Sequence, residues 1–136
     1  MELTLNEINL KYIFSICNNK PLYKVGVFVA HLSQIESIYE KIMQDNSSDN
    51  IIRVYKSQYK TVITMKNQST ISIMTARENV RGSKFNSIVV DDTIQSEIVL
   101  YVLRRCITTY NLELSEKLLN NAYEVKKLKE LEEDLK

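Results

Sequence analysis

The stretch "YKVGVFVAHLSQIESIYEKIMQDN", residues 23–46, decides the fold. Its first eight residues form a continuous apolar run of strand length, and such runs belong to strands buried on both faces; half-exposed strands alternate instead. The remainder sets Ile35, Ile38, Tyr39, Ile42 and Met43 in one stripe at helical spacing, with Ser33 and Glu36 spaced as a capping box. A buried strand followed at once by an amphipathic helix is the unit from which parallel sheets covered on both sides are built.

Working outward, residues 3–18 place Leu5, Ile8, Tyr12 and Ile16 at helical spacing, and "NNKP" at 18–21 stops that first helix. After the polar loop "DNSSDN" (45–50) comes the strand-like "IIRVY", then "YKTVITM" and "TISIMTA", which "KNQS" joins into a β-hairpin. "FNSIVVDD", residues 85–92, is a second continuous apolar strand, and "TIQSEIVLYVLRRCITTY" after it repeats Ile94, Ile98, Val102 and Cys106 along one helix face. The expected fold is α/β and three-layered: a mainly parallel sheet with strands 23–30 and 86–91 central and buried, a β-hairpin insertion, and helices 32–44 and 93–108 over the sheet. Residues 1–110 read as this domain. Residues 111–136 read as a charged amphipathic helix in which Leu114, Leu118, Val125, Leu128 and Leu135 keep a rough seven-residue spacing. Two uses are open to that helix: packing back on the domain, or a seam with another helix.

The composition supports one domain, since 136 residues at 44% apolar can bury a substantial core. Lys and Arg number 18 against 17 Asp and Glu, so no global field draws the chain to nucleic acid or an anionic membrane, and such binding needs a local patch. Cys17 and Cys106 sit in apolar helical patterns without metal-ligand spacing and without a signal peptide, which reads as reduced core thiols in a cytoplasmic protein. No apolar run reaches the roughly 18 residues that cross a bilayer, so a soluble protein with no membrane partner is expected.

The chemistry concentrates near the second buried strand. In an open parallel sheet ligands sit beyond the carboxyl ends of the strands, where Asp91 and Asp92 fall. The first acid can hold Mg²⁺ and the second can orient an attacking water, the division of labour in phosphoryl-transfer sites. Asp92 also stands three residues before Gln95, and by spacing the first reading is a cap for a helix starting near Thr93. Arg77, Arg81 and Lys84 precede the strand, with Gly82 free to adopt a conformation other residues avoid; the turn suits phosphate or nucleic acid, or is simply solvated. Arg104 and Arg105 form a second basic pair. His31 follows the first buried strand, where it ends the strand or meets a ligand at the next helix. One histidine supports no Ser/His/Asp arrangement, and there is no Cys/His cluster.

Three pieces together carry a family likeness: "VGVFVAHLSQIESIYEKI", "YKTVITMKNQSTISIMTA" and "RGSKFNSIVVDD". Over about residues 22–107 their order resembles the core of P-loop ATPases, most closely the ATPase domain of phage terminase large subunits, with related helicases second. The pieces are similar to the family's strand and glutamine-bearing helix, its hairpin around an Asn-Gly-Ser turn, and its Arg-Gly element leading into Walker B. The resemblance implies a RecA/terminase-like fold, with Asp91 as the Walker B aspartate, Asp92 in the place of the catalytic glutamate, and Arg81 with Gly82 as the Arg-Gly pair.

The sequence departs from that pattern where phosphate would bind. It contains no G-x-x-x-x-G-K-[ST], the loop whose amides and lysine hold the β- and γ-phosphates, and Lys20 and Lys24 lack glycines around them. Asp92 is one methylene short of a glutamate, and the hairpin turn reads Asn67-Gln68-Ser69 without glycine. The resemblance therefore implies a non-catalytic, terminase- or helicase-like protein of phage origin in the host cytoplasm. It would act as a binding or regulatory factor in DNA packaging or replication, with no cofactor, through a protein partner or itself, and with DNA through a local basic patch. Two alternatives stay open: a metal-dependent phosphoryl-transfer enzyme using Asp91 and Asp92 with Mg²⁺ at Asp91, and an unrelated α/β interaction module.

Overall fold

The computed structural model describes residues 1–44, 48–77 and 80–134. Its centre is a six-stranded mixed sheet of order β1-β6-β2-β5-β4-β3, built from β1 (Glu2–Thr4), β2 (Lys24–Val29), β3 (Ile51–Lys56), β4 (Lys60–Met65), β5 (Thr70–Thr75) and β6 (Ser87–Val90). β1, β6, β2 and β5 run parallel, while β4 and β3 are antiparallel additions at one edge.

The two continuous apolar runs are the central strands β2 and β6, hydrogen-bonded to each other and buried along nearly their whole length. Alternation of side chains sends Val25, Val27, Val29 and Val89 to one face. There α1 (Glu7–Asn19) and α2 (Gln34–Gln44) cover them with Leu10, Ile13, Phe14, Ile35, Ile38 and Ile42. The opposite face receives Phe28, Ile88 and Val90, packed against Phe85, Val80 and the segment that follows β6. That segment starts as α3 (Ser96–Ile98) and runs on through a π-helical stretch (Val99–Leu103) and a 3-10 turn (Arg104–Cys106). Helices on both faces make the three layers expected. Cys17 lies in one core and Cys106 in the other, both unpaired, and burial pushes the Cys17 thiol up to about 12.

Four expectations need correction. The first helix begins at Glu7 and not at residue 3, because residues 2–4 pair with β6 as β1 and Asn6 caps the helix. Its buried face is Leu10, Ile13, Phe14 and Cys17; of the stripe read from sequence, Ile8 and Tyr12 are exposed, and the buried set puts Phe14 against the sheet while the Tyr12 hydroxyl stays in water. The Ser33–Glu36 capping box does not form. Gln34 Oε1 instead accepts from the His31 N–H at 2.9 Å, and Glu36 pairs with Lys56 at 3.0 Å. The hairpin is no insertion, because β5 pairs with β2 over all six residues and places Ile71 and Ile73 in the core.

Of the two uses open to the C-terminal helix α4 (Leu112–Asp134), packing back on the domain is confined to its start. Asn111 caps it, yet beyond Ser115 its residues are almost all exposed, including Leu114, Leu118, Val125 and Leu128. Leu135 lies outside the described residues. Among the described residues no helix is long and apolar enough to cross a membrane.

Two backbone positions make the fold testable. A Cβ at Gly26 would stand 2.9 Å from Phe28 Cε2 and 3.1 Å from the Phe85 ring, and those two rings pin each other edge to face at 5.8 Å. At the β4–β5 turn Gln68 holds φ 67, a left-handed conformation that favours glycine; the turn is tied by Asn67, whose Nδ2 donates to the Cys17 carbonyl at 2.7 Å. Gly26→Ala should therefore lose about 1–3 kcal/mol by overpacking. Gln68→Gly should leave stability level or raise it by up to about 1 kcal/mol. Urea denaturation of both variants checks the opposite signs.

Candidate functional site at the carboxyl edge of the sheet

Because β1, β2, β5 and β6 run parallel, the residues that follow them gather on one edge: Leu5 and Asn6, Ala30 and His31, Ala76 and Arg77, Asp91 and Asp92. Asp91 leaves β6 with its N–H still bonded to Phe28 O at 3.0 Å, so β2 fixes where its side chain starts. Its Oδ1 accepts from the Thr93 N–H at 2.9 Å and the Thr93 hydroxyl at 2.7 Å, while Oδ2 accepts from Gln34 Nε2 at 3.2 Å. Gln34 thus clamps the ends of β2 and β6 together, taking the His31 N–H with its oxygen and the Asp91 carboxylate with its nitrogen. The hydrogen bond from the Thr93 N–H holds the Asp91 carboxyl below the usual aspartate range against the opposing effect of burial, with the Thr93 hydroxyl and Gln34 adding to it.

Asp92 is exposed and does not cap the following helix, which starts at Ser96 without a side-chain cap; the acid that organises the turn is Asp91. The two aspartates share a cleft of about 460 Å³ with Glu2, Ser96 and Arg104. Arg104 Nε is paired with Glu2 Oε2 at 2.7 Å, which joins β1 to the segment after β6 and occupies half of the second basic pair. His31 is exposed beside a smaller hollow of about 270 Å³ lined by Ala30, Ala76, Thr93 and Ile98.

The β1–α1 connection is only Leu5 and Asn6. Asn6 Oδ1 accepts from the Asn9 N–H at 2.8 Å, and Asn9 Nδ2 returns to Thr4 O at 2.6 Å, so the side chain of Asn6 takes up one of the free amides of the first turn. Glu7 adds an acid at the same point.

The basic turn is dispersed. Arg77 stands just past the carboxyl end of β5, its guanidinium 5.8 Å from the Tyr59 ring. Lys84 precedes the amino end of β6, on the opposite edge of the parallel strands, in a groove with Lys24 and Asn86. Arg81 and Lys84 both lie near enough to Cys106 to oppose the effect of burial on that thiol, and Gly82 takes φ 88, as its freedom allows. Arg81 and Lys84 therefore do not join Asp91 in one phosphate site.

A Mg²⁺ at Asp91 meets the same difficulty. Both carboxylate oxygens already accept from neutral N–H and O–H donors, and among the described residues no three His, Cys, Asp or Glu side chains converge as ligands. The donor set is that of a turn anchor, in which Thr93 and Gln34 compete for the lone pairs that a Mg²⁺ at Asp91 would use. Sequence reading missed the roles of Gln34, Thr93 and Asn6. Asp-x-Thr is a local turn signal that could have exposed the first pairing. No protein-family model matches the chain, and no curated protein or solved structure matches it.

Asp91→Ala should cost about 1.5–3 kcal/mol at pH 7, the scale of hydrogen bonds to a charged group. Since the folded-state pKa is depressed, that contribution is complete above the unfolded value near 4 and is lost as pH falls through the lower folded value. The gap between wild type and variant in urea denaturation should therefore be full at pH 7 and shrink below about pH 4.

Proposed function

We propose that this chain is a non-catalytic, ATPase-like protein, related to the terminase and helicase cores it resembles, that works by association in the cytoplasm of a phage host. Its role is that of a binding or regulatory factor in DNA packaging or replication. The observation that carries the non-catalytic reading is the two-residue β1–α1 connection, with a self-capped helix start where a phosphate cradle would have to be. Phosphoryl transfer depends on positioned phosphates and on neutralising their charge, and the Leu5–Asn6 connection brings neither a glycine-rich loop nor a lysine to that point. The tied carboxylate of Asp91 supports the same reading. The adjacency of β2 and β6 supports the kinship, being the neighbourhood that the order of segments calls for.

Association is supported by α4. Leu114, Leu118, Asn121, Val125 and Leu128 follow one another at steps of four and three, which is the spacing of a coiled-coil seam, and all of them are exposed. A helix this polar, with leucines in water, gains most of its stability from a partner. In a parallel, in-register pair of copies Asn121 meets Asn121, and Glu124 of one helix meets Lys129 of the other across the seam.

Leu118→Glu combined with Leu128→Glu should lower the mass measured by sedimentation equilibrium while leaving the thermal melt of the α/β domain in place. An unchanged mass for wild type and variant alike, at the monomer value, would sink association through α4. Phosphate release from ATP with Mg²⁺ should stay at background with and without DNA; turnover that vanishes in Asp91→Ala would instead establish the metal-dependent enzyme.

A further inference from the structure

We propose that the uncovered face of β3, β4 and β5 is a binding site for single-stranded nucleic acid. The sheet is covered unequally. On one face α1 and α2 reach Ile63 and Met65 of β4, whereas on the other the core made with the segment after β6 includes no residue of β3 or β4, and β5 adds only Met74 at its margin. The register then gives the composition of the open face row by row. Arg53, Thr64, Thr70 and Lys24 stand side by side across four strands; Tyr55, Val62, Ser72 and Gly26 form the next row, and Lys60 and Met74 the one after.

The face therefore has cations at its margins and hydroxyls across its middle, those of Thr70 and Ser72 half-buried and that of Thr64 buried. Tyr55 and Tyr59 are each 55% exposed. Tyr59 carries Arg77 on its ring and overlooks a hollow of about 170 Å³ shared with Lys60, Met74, Thr75 and Ser83.

Charge selects the occupant. Residues 51–77 contain five basic residues, Arg53, Lys56, Lys60, Lys66 and Arg77, and no acidic one, in a chain whose net charge is only +1. Lys56 turns to the covered face, where it pairs with Glu36 and lies 4.0 Å over the Tyr39 ring. Among the described residues Arg53, Lys60, Lys66 and Arg77 have no ion-pair partner. A concentrated positive charge of this kind fits a polyanion.

The tyrosines make the choice narrower. Exposed rings between cations can stack on bases, and bases are open for stacking only in an unpaired strand; a duplex would offer this face its phosphates alone. The site meets the carboxyl edge at Arg77 and the start of α4 at Lys24, which shares a groove with Leu114 and Leu118, yet it requires neither the ATPase kinship nor the α4 seam.

Fluorescence anisotropy of a labelled twenty-residue oligothymidylate, titrated with the full chain, tests it. Affinity should fall about tenfold or more between 50 and 200 mM salt, as about three released counterions require. Tyr55→Ala and Tyr59→Ala should each weaken binding on the order of tenfold, Tyr59→Phe should retain it, and Arg53→Gln should reduce the salt slope by about 0.7. Lys11→Gln on α1 and Lys126→Gln on α4 should change nothing. Thermal melts matching wild type show that the half-exposed tyrosine variants fold. The proposal is overturned by absence of binding at 50 mM salt and about 100 µM protein, by a duplex of equal length binding as tightly, or by tyrosine variants that bind like wild type. Competition by polyglutamate as effective as by unlabelled oligonucleotide would mark the face as a general acidic-protein site and overturn it as well.

Discussion

The ladder between β2 and its two neighbours is the constraint on which the rest of the molecule depends. β2 is hydrogen-bonded to β6 on one side and to β5 on the other, and its side chains are buried on both faces. A strand in that position cannot satisfy its apolar surface with one layer, so helices must lie on both sides, and parallel neighbours require crossovers long enough to hold those helices. The same strand sets the functional edge, because Phe28 O holds the Asp91 N–H and the residue after Ala30 hands its N–H to Gln34. The close approach at Gly26 lets the Phe28 and Phe85 rings meet over the strand, so even the packing of the second layer is referred to β2.

What this edge does with its acids follows from which donors reach them first. Asp91 is met by a hydroxyl and a backbone amide two residues away and by a glutamine from the neighbouring crossover. Such short-range donors stabilise the ionised form and fix a turn, and they compete with any outside ligand for the same lone pairs. Asp92, one residue on, is exposed and lines the cleft with the Glu2–Arg104 pair. The chain thus uses its best-placed carboxylate to hold the ends of β2 and β6 and the turn that follows them together.

The fold was legible in the sequence where the signal was a continuous apolar run. "VGVFV" and "SIVV" admit few alternatives to a doubly buried strand, and the stripe from Ile35 to Met43 fixes the helix between them. β1 was not legible, since three residues beside a helical pattern carry no periodicity of their own, and pairing with β6 is a tertiary event. The buried face of α1 was misread because Ile8 and Tyr12 offer an equally regular stripe; only the sheet decides between the two. At the site, strand ends located Asp91 correctly. The partners Gln34 and Thr93 depend on side-chain hydrogen bonds that spacing alone does not specify, and the basic turn is dispersed because it crosses the sheet, from Arg77 after the carboxyl end of β5 to Lys84 before the amino end of β6. The charge asymmetry of residues 51–77 was present in the sequence from the start, but it becomes a surface only once the register aligns three strands.

The separation of the two thiols by the sheet has a consequence for how the molecule opens. Cys17 faces the layer built by α1 and α2, and Cys106 faces the layer built by the segment after β6, with its Sγ donating to Val102 O and Val80 O. Neither sulfur can reach the other, and neither meets solvent until its own layer lifts. The chain therefore contains two native reporters of local unfolding, one per side of the sheet. Thiol-exchange rates would resolve whether the irregular π-helical layer breathes before the regular α-helical one or whether both release together in a single cooperative unit.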